Sequence, residues 1–138
     1  MGRLRRVLFL CTGNSCRSQM AEGFLRHLAG DRFEVVSAGT EPASRVHPLA
    51  AETMAERGID ISAQRTKSLA EFENQDFDLL ITTCDEANEA CPFFPGARQR
   101  LHWSIPDPAK ATGTDDETRQ AFRQAADLLE ARIRESLS

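Results

Sequence analysis

Cys11-Thr12-Gly13-Asn14-Ser15-Cys16-Arg17-Ser18 puts a thiol at the start of a short turn and a guanidinium after five intervening residues. Gly13 and Asn14 are the residues expected at positive φ. A loop curled in that way turns its amides, and the N-terminus of a following helix, toward one bound anion. The substrate-binding set is then Thr12, Gly13, Asn14, Ser15, Cys16, Arg17 and Ser18, with Arg17 clamping two oxygens and Cys11 beneath the central atom. The same donors are expected to depress the Cys11 thiol and make it a thiolate nucleophile. A turn with a buried Cys and a solvated Arg is the plainer reading. The spacing alone is weak evidence, and the setting between a strand and a helix carries it.

Three other cysteines and one aspartate stand out. Cys84 ends an apolar run and Cys91 follows after six intervening residues. Two buried thiols, a zinc pair and a second redox thiol are the readings, and a zinc site fits poorly without a second paired set. Cys16 reads as a packed residue at a helix start. Asp107 lies between Pro106 and Pro108, which restrict its backbone. It is a cap or turn residue, or else a general acid. His27, His47 and His102 read as surface or packing residues, since none falls in a metal-binding or Cys-His spacing.

Strand and helix signals alternate around these positions. Arg6–Leu10, after Arg3 and Arg5, reads as a buried strand, Arg17–Ala29 as a helix stopped by Gly30, and Phe33–Ala38 as a second strand. His47–Arg57 reads as a second helix stopped by Gly58, Ser68–Glu73 as a short third, and Phe77–Thr83 as a third strand. Cys84–Gly96, with Pro92 and Pro95, is expected to be irregular or a single turn of low local stability. Leu101–Trp103 is the expected fourth strand. Thr114-Asp115-Asp116-Glu117 is a capping box, followed by Phe122, Ala125, Leu129, Ile133 and Leu137 on one helical face. The sum is a single α/β domain over residues 1–138, a four-stranded parallel sheet with helices on both faces. In such a sheet ligands bind outside the carboxyl ends of the strands, where the loops at Cys11, Cys84 and Asp107 meet.

At 138 residues, with 41% hydrophobic and 28% charged residues, the chain suits one compact domain. Net charge −4 argues against a dedicated nucleic-acid partner. The longest apolar run, Val7–Cys11, is too short for an export signal or a membrane span, so a cytoplasmic protein is expected. There, structural disulfides are uncommon.

CTGNSCRSQMAEG (11–23), SAGT (37–40), GIDIS (58–62), TTCDEANEACP (82–92), HW (102–103) and DPAKATGT (107–114) resemble the thioredoxin-coupled arsenate reductases of the low-molecular-weight protein tyrosine phosphatase fold, over nearly the whole chain. The resemblance implies that Cys11 attacks arsenate held by the loop and Arg17, with Asp107 as acid. It implies that Cys84 then attacks Cys11 to release arsenite, and that Cys91 attacks Cys84. Thioredoxin is the implied reductant, with a glutaredoxin or a small thiol as substitutes, and a monomer without cofactor or metal is expected. In several relatives an acidic residue after the GIDIS segment helps bind potassium. Here that stretch reads Ala63-Gln64-Arg65-Thr66-Lys67-Ser68, so Lys67 is expected to place an ammonium near Asn14, Glu22 and Ser37, or else to be exposed. Two rivals remain: a phosphatase with incidental cysteines, disfavoured by the absence of Tyr at a pocket mouth, and a non-catalytic thiol module for arsenite or a soft metal.

Overall fold

A computed structural model describes residues 4–91 and 93–137; the Arg3 and Pro92 used above lie outside these residues. Four strands, β1 (Arg5–Cys11), β2 (Phe33–Gly39), β3 (Phe77–Thr82) and β4 (Ala97–His102), form one parallel sheet in the order β2-β1-β3-β4. The helices are α1 (Arg17–Ala29), α2 (Pro48–Glu56), α3 (Asp85–Ala90) and α4 (Asp115–Leu137), with short 3-10 turns at Leu69–Phe72 and Pro108–Lys110.

Because side chains alternate along a strand, β1 serves two cores. Val7 and Phe9 join Val35, Leu79 and Ile81 on the face covered by α1, α2 and α4, where Met20, Phe24, Met54, Phe122, Leu129 and Ile133 are buried. Leu8, Leu10 and Cys11 join Leu80, Phe72, Phe77, Ala87 and Phe94 on the other face, under α3. The α4 box forms as its sequence requires: the Glu117 amide donates to Thr114 Oγ1 at 3.1 Å, and the Thr114 amide donates to Glu117 Oε1 at 3.4 Å.

Two expectations change. The fourth strand is Ala97–His102 rather than Leu101–Trp103. It is an edge strand, so its register comes from backbone pairing with β3, Phe77 to Ala97 through Thr82 to His102, rather than from apolar alternation. Trp103 follows the strand and packs 6.0 Å from the Phe9 ring. The segment after Cys84 is the ordered six-residue helix α3, fastened by the fully buried Ala87. α1 ends at Gly30 as expected, with right-handed backbone there at φ −62°.

Candidate active site

The loop between β1 and α1 is built by its carbonyls. The oxygens of Cys11, Thr12, Gly13 and Ser15 accept from the amides of Thr40, Glu41, Ala43 and His47, at 2.8 to 3.1 Å. In a trans peptide the next N–H points the opposite way, so the amides of Thr12, Gly13, Asn14 and Cys16 face inward. The Asn14 amide reaches Cys11 Sγ at 3.1 Å. Asn14 carries the left-handed turn at φ 51°, whereas Gly13 does not have positive φ, contrary to the expectation for it. Gly39 makes the close approach: a Cβ there would lie 2.5 Å from the Thr12 carbonyl. A glycine closing a buried strand was the sequence signal for that contact.

Cys11 is 2% exposed. Ser18 Oγ lies 2.8 Å from its sulfur and accepts from Asn14 Nδ2, which leaves the hydroxyl proton for the thiol. Burial outweighs these donors and pushes the Cys11 thiol above its ordinary value; the Ser18 hydroxyl and backbone, then Arg17, pull it down. The expected depression is therefore not found, because a desolvated anion costs more than the donors return. Burial likewise pushes Cys16 up to about 11.

Arg17 Nη1 donates to the Ile105 carbonyl at 2.9 Å, and Nη2 lies 3.6 Å from Asp107 Oδ2. Asp107 Oδ1 accepts from the Ala109 amide at 3.0 Å, so one carboxylate caps a turn and faces the guanidinium at once. These groups line a cavity of about 200 Å³ together with Cys11, Thr12, Gly13, Ser15, Cys16, Glu86, Ala109 and Lys110. A larger hollow of about 580 Å³, around Arg6, Phe77 and Gly96, lies at the opposite ends of the strands and holds no thiol.

The structure brings Cys84 to this loop. Its sulfur is 3.4 Å from Thr12 Oγ1, and it is 1% exposed. Cys91, 4% exposed, closes the far end of α3, and all four cysteines are free thiols. Seven steps of about 1.5 Å put the two ends of this helix roughly 10 Å apart. Beneath the loop, Asn14, Glu22, Ser37 and Lys67 form one buried network. The Lys67 amide donates to Asn14 Oδ1 at 2.9 Å, Asn14 Nδ2 to Ser37 Oγ at 2.9 Å, and Ser37 Oγ to Glu22 Oε1 at 2.5 Å. Lys67 Nζ donates to the Arg65 carbonyl at 2.7 Å and lies 3.7 Å from Glu22 Oε1. Burial pulls the Lys67 ammonium below its ordinary value, and Glu22 opposes the shift. Among the described residues, no group of three or more His, Cys, Asp or Glu side chains can hold a metal ion.

Sequence reasoning missed a second cluster, on β4. His102 Nδ1 is 2.7 Å from Thr82 Oγ1, and its Nε2 is 2.8 Å from Asp85 Oδ1 on α3. Arg100 Nη2 donates to the Asn88 carbonyl and to Asn88 Oδ1, at 3.1 and 2.9 Å. The available signal was two polar residues at alternate positions just before a buried Trp. His47 is a packing residue as expected: its Nδ1 caps α2, and its ring lies 4.9 Å from Phe122.

Residues 6–138 match the family described as low molecular weight phosphotyrosine protein phosphatase. The chain is 47% identical to an arsenate reductase of Halalkalibacterium halodurans, over 93% of this chain and 91% of that protein. It is 43% identical to one of Bacillus subtilis, over 94% and 92%. Among solved structures, an arsenate reductase in its phosphate-binding state superposes with TM-score 0.81 at 34% identity, covering 96% of this chain and 95% of that one. A thioredoxin-dependent arsenate reductase of Corynebacterium glutamicum superposes with TM-score 0.73 at 33% identity, covering 97% of this chain and 60% of that one.

Proposed function

From its membership of the arsenate reductases within the low molecular weight phosphotyrosine protein phosphatase family, we propose that the chain reduces arsenate through a three-thiol relay regenerated by thioredoxin. The observation that carries the reading is the placement of free thiols: Cys11 in the anion loop, Cys84 against Thr12, and Cys91 one short helix away.

Arsenate enters the cavity and meets the inward amides and Arg17, which turns from the Ile105 carbonyl to clamp two oxygens. The Cys11 sulfur attacks arsenic, and Asp107 donates the proton with which one oxygen leaves as water. Cys84 then attacks the Cys11 sulfur. A Cys11–Cys84 disulfide forms, the arsenic–sulfur bond breaks, and its electron pair stays on arsenic, so arsenic(V) leaves as arsenite. Cys91 attacks Cys84 and frees Cys11, leaving Cys84–Cys91 for thioredoxin. A disulfide needs Cα atoms within about 7 Å, so α3 unwinds for this exchange. Lys67 supplies the positive charge beneath the loop that a bound cation would otherwise supply.

The test is arsenate-dependent NADPH oxidation with thioredoxin and its reductase, against a parallel glutaredoxin system. Turnover with the first is expected. Hydrolysis of aryl phosphates without arsenate reduction would favour the phosphatase reading. Among the described residues, those that line the cavity, Glu86, Ala109 and Lys110 included, carry no aromatic ring, which speaks against it.

A further inference from the structure

The relay proposed above leaves one step without a stated helper, the attack of Cys91 on Cys84. Cys91 is buried, its thiol is far from the donors that serve Cys11, and only a thiolate attacks a disulfide. The side chains above this helix come from the β4 edge. Arg100 lies opposite Leu80 in the sheet register and reaches over the last turn of α3, where one guanidinium nitrogen holds both the carbonyl and the side-chain oxygen of Asn88. Burial pushes the Cys91 thiol up, while the charge of Arg100 and a hydrogen bond from it pull it down, and Glu73 pushes it up again. Arg100 and Glu73 are thus the charged groups that bear on this sulfur, from β4 and from the turn before β3.

We propose that Arg100 is a positioning residue for the second thiol exchange: it fastens the end of α3 through Asn88 and serves as the cation that keeps Cys91 beside it as an attacking thiolate once the helix opens. The exchange balances without an added reagent. The Cys91 thiol gives its proton to solvent, and its sulfur bonds to Cys84 Sγ. The Cys11–Cys84 bond breaks, and its electron pair leaves on Cys11 as a thiolate. Cys91 is oxidised and Cys11 reduced. Arg100 thus bears on the Cys91 sulfur already in the closed helix, where the Asn88 oxygens hold its guanidinium in place, and it keeps that sulfur as its partner when the helix opens.

The experiment is a single turnover of the full chain with arsenate, quenched by alkylation. The conversion of the Cys11–Cys84 disulfide to Cys84–Cys91 is followed against pH. Arg100→Met is expected to move the pH midpoint of that conversion up by about one unit. At neutral pH it slows it about threefold, because tenfold less thiolate is partly offset by the greater nucleophilicity of a more basic thiol. Arg100→Lys restores the midpoint, and Glu73→Gln lowers it without touching the helix. An unchanged midpoint in Arg100→Met, or faster conversion at every pH as for a simple clasp, overturns the proposal. A wild-type protein that forms no Cys84–Cys91 disulfide with arsenate overturns the relay itself, and the proposal with it.

Discussion

Lys67 decides what lies under the anion loop. Its ammonium is buried against Glu22 and the Arg65 carbonyl, while its amide holds Asn14, the residue that bends the loop. In the proposed reading this built-in charge takes the place of a cation, so potassium is expected to change melting temperature and activity no more than equal sodium. Lys67→Asp puts a carboxylate beside Glu22 and is expected to make both quantities depend on potassium. A wild type stabilised by several degrees in potassium would assign the site to the metal. At Cys11 the expectation is simpler. Cys11→Ser replaces a thiol by an alcohol of far higher pKa in a buried pocket, and arsenate turnover should vanish. Residual reduction by that variant would remove Cys11 from the chemistry. Cys11 and Arg17 were legible because their pattern is local. Gly39 and Lys67 act across 25 and more residues, and only the fold shows what they touch.

At the scale of elements, the proposed relay makes α3 the part that has to move. It is six residues long, stands between the two thiols that the proposed relay joins, and is held by Ala87 from within and by His102 and Arg100 of β4, which reach Asp85 and Asn88. So short a helix has little stability of its own. Its presence was not legible in Asp85-Glu86-Ala87-Asn88-Glu89-Ala90, because the stabilising partners, His102 and Arg100, belong to a strand whose polar sequence also concealed it. α1 and α4 were legible, since each carries its own apolar stripe. In Cys91→Ser the first exchange proceeds and the second cannot. One equivalent of arsenite and a trapped Cys11–Cys84 peptide are expected after arsenate treatment and digestion. A Cys11–Cys16 peptide in its place would reassign the second thiol.

For the molecule as a whole, buried thiols set the response to alkali. Cys11, Cys16 and Cys91 are all pushed above their ordinary value by burial. Above about pH 9 the unfolded chain releases these protons and the folded chain keeps them, so stability falls as pH rises. Cys16 alone, raised to about 11, accounts for about 1.4 kcal/mol of that loss by pH 10, at about 1.36 kcal/mol per unit. Cys16→Ala is expected to lose that much less stability than wild type between pH 8 and pH 10 in chemical denaturation. Parallel pH curves for the two proteins would refute it.

The polar sequence of β4 also bears on how molecules meet one another in concentrated solution. An edge strand offers a free row of amides and carbonyls to any other sheet, and such edges seed aggregates unless charge guards them. Here Arg98 and Gln99 are exposed on the strand that closes the sheet beyond β3. Arg98→Val would replace that guard with a residue that favours strand pairing, and light scattering is expected to show self-association that the wild type lacks. The strand that clasps the redox helix would thus also act as a gatekeeper against fibril-like stacking.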